Sequence, residues 1–205
     1  MRNIIFFILL STQILWAQKI EYKEGDFIFQ NINCGPLCEA INEVTHGYNG
    51  INFNHIGMVI EYEGTLQVIE ATWPEVCITP LDKFIAKNVD AQYVGRLKPE
   101  YRGLISKAKE FSIAQLGIPY DVNYLMDNNK YYCSELIYDA FKNANDNKEV
   151  FPLFPMTYKS KTTKEFFPVW LDYFKKLNQE VPEGLPGCNP AGMSLDEKIV
   201  ILGKI

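Results

Sequence analysis

Apolar residues recur along the chain with two periods, and these periods predict an alternation of strands and helices. Strand patterns occur at 25–30, 54–62, 66–72 and 91–97. Helical patterns occur at 36–44, 80–86, 102–116 and 133–145, and a capping box beginning at Thr162 predicts a further helix through Leu177. The tail at 181–193 is rich in Pro and Gly and is expected to be an ordered loop. Without repeats or a linker, one α+β domain is the simplest account.

The second and third predicted strands are joined by a Glu-Gly dipeptide, which is typical of a hairpin. If Tyr62 lies opposite Thr65, then His55 and Glu70 are diagonal neighbours on one face, about 7–8 Å apart at Cα. Gly57 between them is expected to leave space for the imidazole. A shift of one residue in the pairing would put the two side chains on opposite faces.

Cys133 opens a predicted helix whose apolar side includes Leu136 and Ile137. Unpaired N–H groups and the positive end of the helix dipole collect at such a position, where they stabilise a thiolate. A cysteine, a histidine and an orienting acid are the parts of a thiol hydrolase. The alternatives are a buried structural cysteine at 133, a structural strand histidine at 55 and an edge-exposed Glu70.

Tyr120 and Asp121 follow a Gly-Ile-Pro turn just before the cysteine helix. Loop aromatics and acids in such a place often line a pocket, so both are candidate substrate-binding residues, and ordinary turn chemistry is the equal alternative. Trp73 and Trp170 are expected in the core.

Composition narrows the choice of partner and compartment. The chain has 205 residues and a net charge of −5, so it lacks the basic footprint of a nucleic-acid-binding protein. A basic start, a short apolar run at 4–10 and Ala17 together predict a signal peptide over 1–17, which leaves a single domain over 18–205. The expected product is exported, periplasmic or extracellular, with no stable membrane span after cleavage.

Five cysteines leave at least one thiol unpaired in an exported monomer, and Cys133 is the candidate. Pairing among the other four (Cys34, Cys38, Cys77 and Cys188) stays open, with a Cys34–Cys38 disulfide as one possibility. Their spacing is a poor match to a zinc site, so no metal is expected.

Five short segments together resemble a known family: 25–30, 54–59, 68–71, 117–121 and 132–136. They occur in the order found in the permuted, YiiX/YebB-like branch of the NlpC-type papain-fold cysteine hydrolases. His55 precedes Cys133, which matches a circular permutation of the papain-like fold, a small antiparallel sheet packed with helices. The resemblance implies Cys133 as nucleophile, His55 as general base and acid, and Glu70 as the residue that orients His55.

The resemblance also implies a cysteine amidase or peptidase that forms a thioester and needs no cofactor. The expected substrate is a peptidoglycan-derived peptide or another small amide or acyl compound. The chain lacks a recognisable wall-binding module, so two alternatives stay open. One is a lipid-directed acyl hydrolase or acyltransferase with the same triad, and the other is a non-catalytic binding module.

Overall fold

The structure, a computed structural model, describes residues 20–87 and 89–205, so the expected signal peptide at 1–17 lies outside the described residues. In this part of the chain the strands are β1 (Phe27–Ile32), β2 (His55–Tyr62), β3 (Thr65–Ala71), β4 (Val76–Pro80), β5 (Val89–Leu97), β6 (Phe154–Pro155), β7 (Pro186–Gly187) and β8 (Ile199–Lys204). The helices are α1 (Pro36–Val44), α2 (Leu81–Ile85), α3 (Ile105–Ala114), α4 (Cys133–Ala144), α5 (Pro168–Lys176) and α6 (Pro190–Met193). The fold is α+β, as the sequence predicts.

The main antiparallel sheet has the strand order β4-β3-β2-β1-β5-β8, and β6 pairs with β7 apart from it. Within the β2–β3 hairpin Tyr62 lies opposite Thr65, which confirms the predicted register. On the other side of β2, Gln30 of β1 lies opposite His55. The histidine strand is therefore held on both edges, which fixes where its first residue lies.

The two faces of the sheet are covered by different helices because side chains alternate along each strand. Ile56, Met58 and Ile60 of β2 belong to the main core, which also contains the buried face of α4. Val59 lies in a smaller cluster with Phe84 of α2. The short helix α2 therefore covers the sheet face opposite to α4.

The predicted helices at 36–44 and 133–145 are confirmed, and α3 follows a 3-10 turn at Pro99–Leu104 instead of beginning at 102. The predicted start at Thr162 is wrong, because α5 begins at Pro168. Ser160 Oγ accepts from the N–H of Thr162 at 3.2 Å, which closes a turn there. Phe167 is extended (ψ 133°), as the residue before a proline prefers to be, so the helix cannot begin earlier.

Two further expectations need correction. Trp73 is 74% exposed, in the loop between β3 and β4, whereas Trp170 is buried as expected. The tail is more structured than a loop, since it contains β7 and α6, and β8 follows it at the sheet edge.

Candidate active site

His55 and Glu70 form a buried pair on the α2 side of the sheet. The hairpin register puts them on one face, and His55 Nε2 lies 2.6 Å from Glu70 Oε2. The ring of Phe84 stacks on the imidazole, with centroids 5.8 Å apart. A Cβ at Gly57 would collide with a methyl of Val68 and lie 3.0 Å from the Phe84 ring, so the glycine makes room for these side chains, of which Phe84 stacks on the imidazole.

Glu70 has two partners besides His55. Thr79 Oγ1 donates to Oε1 at 2.7 Å, and Lys87 Nζ donates to Oε1 at 2.9 Å and to Oε2 at 2.7 Å. Burial works to raise the pKa of Glu70, but the hydrogen bond and charge of His55, together with the ammonium of Lys87, outweigh it and lower the pKa to about 2. Glu70 is therefore ionised at neutral pH.

Cys133 is the first residue of α4 and is 5% exposed. Its Sγ lies 3.9 Å from the carbonyl oxygen of Asn54, the residue just before β2 begins at His55. Burial works to lower the pKa of His55, but hydrogen bonds and the charges of Cys133 and Glu70 raise it to about 9. The raised pKa keeps His55 protonated at neutral pH.

The helix start offers donors to a developing negative charge, because the first N–H groups of a helix have no intrahelical acceptor. Glu135 lies in this first turn and accepts from the N–H of Tyr132 at 3.2 Å. Burial first, and then the charges of Asp121, Asp139 and Asp127, raise the pKa of Glu135 to about 9. Glu135 is therefore neutral at pH 7 and does not oppose a thiolate at Cys133.

A cavity of about 170 Å³ opens beside Cys133. Aromatic and aliphatic side chains dominate its wall, among them Tyr124, Phe154, Met156 and Trp170. Polar groups are fewer, so the wall suits an apolar or aromatic group next to the thiol.

The structure separates the two predicted substrate-binding residues. Tyr120 lines the cavity with Cys133. Asp121 is fully buried, and its carboxylate accepts from the N–H groups of Asn123 at 2.9 Å and Leu125 at 2.7 Å. Asp121 therefore shapes the loop and is not part of the cavity wall.

Sequence reasoning missed the residues that hold Glu70. Thr79 lies in β4, a strand that the patterns did not predict, and Lys87 follows the short helix α2. No local motif distinguishes a lysine that binds a carboxylate from a solvated one, so only the sheet topology identifies these contacts.

Cys34 and Cys38 form a disulfide, while Cys77, Cys133 and Cys188 are free thiols. Cys188 lines the same cavity as Cys133. Across 20–87 and 89–205, no group of three or more His, Cys, Asp or Glu side chains is arranged to hold a metal ion. No helix in the same ranges is long and apolar enough to cross a membrane.

Comparison with known proteins gives three matches. Residues 21–201 match the model of a protein family. This family is described as "Permuted papain-like amidase enzyme, YaeF/YiiX, C92 family". The uncharacterised protein YiiX of Escherichia coli K12 is 33% identical over an alignment of 125 residues, and the match covers 58% of this chain and 57% of that protein. The match thus spans little more than half the length of this curated relative.

A solved structure shares the fold. The crystal structure of metalloprotein YiiX from Escherichia coli O157:H7 superimposes with a TM-score of 0.70 and 22% sequence identity. The superposition covers 89% of this chain and 97% of that one. At this identity the likeness shows the architecture alone.

Proposed function

Because the chain belongs to the permuted papain-like amidases of the YaeF/YiiX type, we propose that it is an exported cysteine amidase or peptidase. Cys133 is the nucleophile, His55 the general base and acid, and Glu70 the residue that orients His55. The observation that carries this proposal is the buried His55–Glu70 pair, with Nε2 2.6 Å from Oε2, next to the residue whose carbonyl lies 3.9 Å from Cys133 Sγ. Such an arrangement supports thiol chemistry because each group adjusts the protonation of the next.

In the proposed reaction the Cys133 thiolate attacks the carbonyl carbon of an amide. The imidazolium of His55 gives its proton to the leaving amine as the C–N bond breaks, and the acyl group stays on Sγ as a thioester. His55 then removes a proton from water, which attacks the thioester and releases the acid and the thiolate. Glu70 binds Nε2 throughout and so directs Nδ1 of the ring towards Cys133.

The oxyanion of each tetrahedral intermediate requires donors. The N–H of Cys133 at the start of α4 is the first. We assign the second to the hydroxyl of Tyr120, which lines the same cavity. Burial, with the charge of Cys133, raises the pKa of Tyr120 well above its ordinary value, so this hydroxyl keeps its proton.

Peptidoglycan-derived peptides are the proposed substrates, and the periplasm or the extracellular space is the proposed compartment. The leader pattern at 1–17 supports export. The Cys34–Cys38 disulfide also supports it, since disulfides persist in oxidising compartments. Residues 18–205 are proposed to act as one domain.

The cavity favours a second candidate, a lipid-directed acyl hydrolase or acyltransferase with the same triad. Phe154, Pro155, Met156 and Trp170 come from the two apolar segments at 151–156 and 166–170, and all line the cavity beside Cys133. An apolar cavity of about 150 Å³ can hold benzene, so one of about 170 Å³ accommodates a short acyl or aromatic group.

The solved relative from Escherichia coli O157:H7 is described as a metalloprotein, but that description does not extend to the mechanism proposed for this chain. The candidate site in this chain does not fit a cation well, because the carboxylate of Glu70 already binds the ammonium of Lys87 and the ring of His55.

Hydrolysis by the purified protein tests both candidates, with wall tetrapeptides and long-chain acyl esters and amides assayed side by side. We expect turnover of the peptides and its loss by roughly a thousandfold or more in Cys133→Ala. Ser112→Ala is the matched control, since Ser112 is a buried small polar residue on α3 that does not line the cavity. Turnover in Cys133→Ala would reject the nucleophile, and activity confined to the long-chain compounds would select the lipid-directed candidate.

A further inference from the structure

The carboxylate of Glu70 is bound by Lys87 as well as by His55. The side chain of Glu70 is 1% exposed, so its charge has almost no contact with solvent. Lys87 donates to both of its oxygens, at 2.9 and 2.7 Å. A buried carboxylate stays ionised only when hydrogen bonds and opposite charges replace the lost water. Lys87 supplies both.

The segment that carries Lys87 also contacts the imidazole. Phe84 stacks on the His55 ring, and the Lys87 ammonium lies 4.2 Å from the centroid of the same Phe84 ring. Gln30 Nε2 donates to the carbonyl of Phe84 at 3.0 Å, which ties α2 to the central strand β1. One short segment therefore contacts both members of the His55–Glu70 pair from the sheet face opposite to α4.

We propose that Lys87 is a positioning residue of the candidate active site: its ammonium fixes the Glu70 carboxylate so that Oε2 faces Nε2 of His55. This inference rests on the proposed function, and it extends the triad by a cation that the family match does not assign. Lys87 does not touch the reacting atoms, and it acts through Glu70 on the orientation and charge of His55.

The groups around the His55–Glu70 pair determine how the pKa of Glu70 changes when Lys87 is removed. His55 from β2, Cys77 from β4 and Lys87 after α2 face Glu70, while Cys133 from α4 faces His55. Cys77 adds no charge at neutral pH, because burial and the charge of Glu70 raise the pKa of its thiol. Removal of Lys87 leaves burial opposed by His55 and the neutral hydroxyl of Thr79. The pKa of Glu70 therefore rises, and the carboxylate takes up a proton at higher pH.

The test is the rate of Cys133 alkylation against pH in the purified protein, with the label located by mass spectrometry. This rate needs no substrate and reports the thiolate–imidazolium pair directly. In Lys87→Met we expect the acid limb of the profile to move up by roughly one pH unit or more. Lys87→Arg keeps the cation and is expected to keep the parent limb. Lys83→Met is the matched control, because Lys83 is exposed on α2, the short helix that precedes Lys87.

The possible results distinguish the role of Lys87 from the proposed function. A parent profile with fast labelling at neutral pH, unchanged in both Lys87→Met and Lys83→Met, overturns the role of Lys87 and leaves the proposed function standing. A parent Cys133 that reacts like an ordinary thiol, with a pKa of about 8.5, overturns both. If Lys87→Met does not fold, a shift of the acid limb in Lys87→Arg would itself contradict a role that requires only the charge and the hydrogen bonds.

Discussion

Glu70 and Glu135 are both 1% exposed, yet they lie in opposite electrostatic surroundings. Glu70 receives a hydroxyl, an ammonium and an imidazole, and its pKa falls to about 2 despite burial. Glu135 receives one backbone N–H and faces three aspartates, and burial raises its pKa to about 9. One carboxylate is thus ionised and the other neutral at pH 7.

The difference teaches that burial alone does not decide the charge of a group; its partners do. The different charges of Glu70 and Glu135 also suit the thiol chemistry proposed for Cys133. The negative charge of Glu70 supports the imidazolium of His55, while a neutral Glu135 leaves the helix dipole at Cys133 uncancelled. The ionised Glu70 and the neutral Glu135 therefore both favour the thiolate–imidazolium pair that the proposed mechanism requires.

The largest effect expected in this comparison comes from replacing each of the two glutamates by glutamine. Glu70→Gln takes the negative charge from His55, so we expect peptide turnover and Cys133 labelling at pH 7 to fall by roughly a hundredfold or more. Glu135→Gln is the matched control, because an amide replaces an acid that is already neutral. Equal losses in the two variants would contradict the opposite charge states.

A smaller effect should appear in stability against pH, where the two glutamates act with opposite signs. Folded Glu135 keeps a proton that the unfolded chain loses, so it makes stability fall as pH rises from its ordinary value of 4.5 towards about 9. Folded Glu70 has lost a proton that the unfolded chain binds, so its contribution is lost as pH falls from 4.5 towards about 2.

Denaturant unfolding of the parent and Glu135→Gln between pH 5 and 9 checks the first sign. The pKa of folded His55, raised from 6.5 to about 9, also lowers stability as pH rises, but it does so in both proteins. The difference between them isolates Glu135, and the variant should gain on the parent steadily as pH rises. A constant difference would mean that Glu135 is ionised in the folded protein.

Local rules predicted those elements whose signals are local. The hairpin at β2–β3 and the helices α1 and α4 follow from side-chain periodicity and a short turn, and their positions were confirmed. The start of α5 was wrong because Pro168 and the turn at Ser160 outweigh the capping pattern at Thr162. The strand β8 was missed because its pairing with β5 depends on a partner about a hundred residues earlier in the chain.

The candidate site likewise contains contacts that local sequence patterns predict and contacts that they do not. The proximity of His55 and Glu70 follows from the register of one hairpin, so the sequence predicted it. The cation on Glu70 and the aromatic ring on His55 come from Lys87 and Phe84, beyond an unpredicted strand. The cavity draws on Met156 and Cys188, which are distant in sequence from Cys133. Tertiary contacts of this kind leave no periodic trace in the chain.

The smallest expected effect concerns Thr79, an uncharged side chain bound to Glu70. Thr79 Oγ1 and Lys87 Nζ share the oxygen Oε1, at 2.7 and 2.9 Å. Thr79→Val removes a neutral hydrogen bond and keeps the shape, which lowers the free energy of unfolding by about 1 kcal/mol. Because Lys87 still holds both oxygens, Cys133 labelling should slow by less than roughly tenfold. Thr65→Val, at an exposed position of the hairpin turn, is the control. A loss in Thr79→Val as large as that in Glu70→Gln would show that geometry at Oε1, and not the charge of Glu70, determines the state of His55.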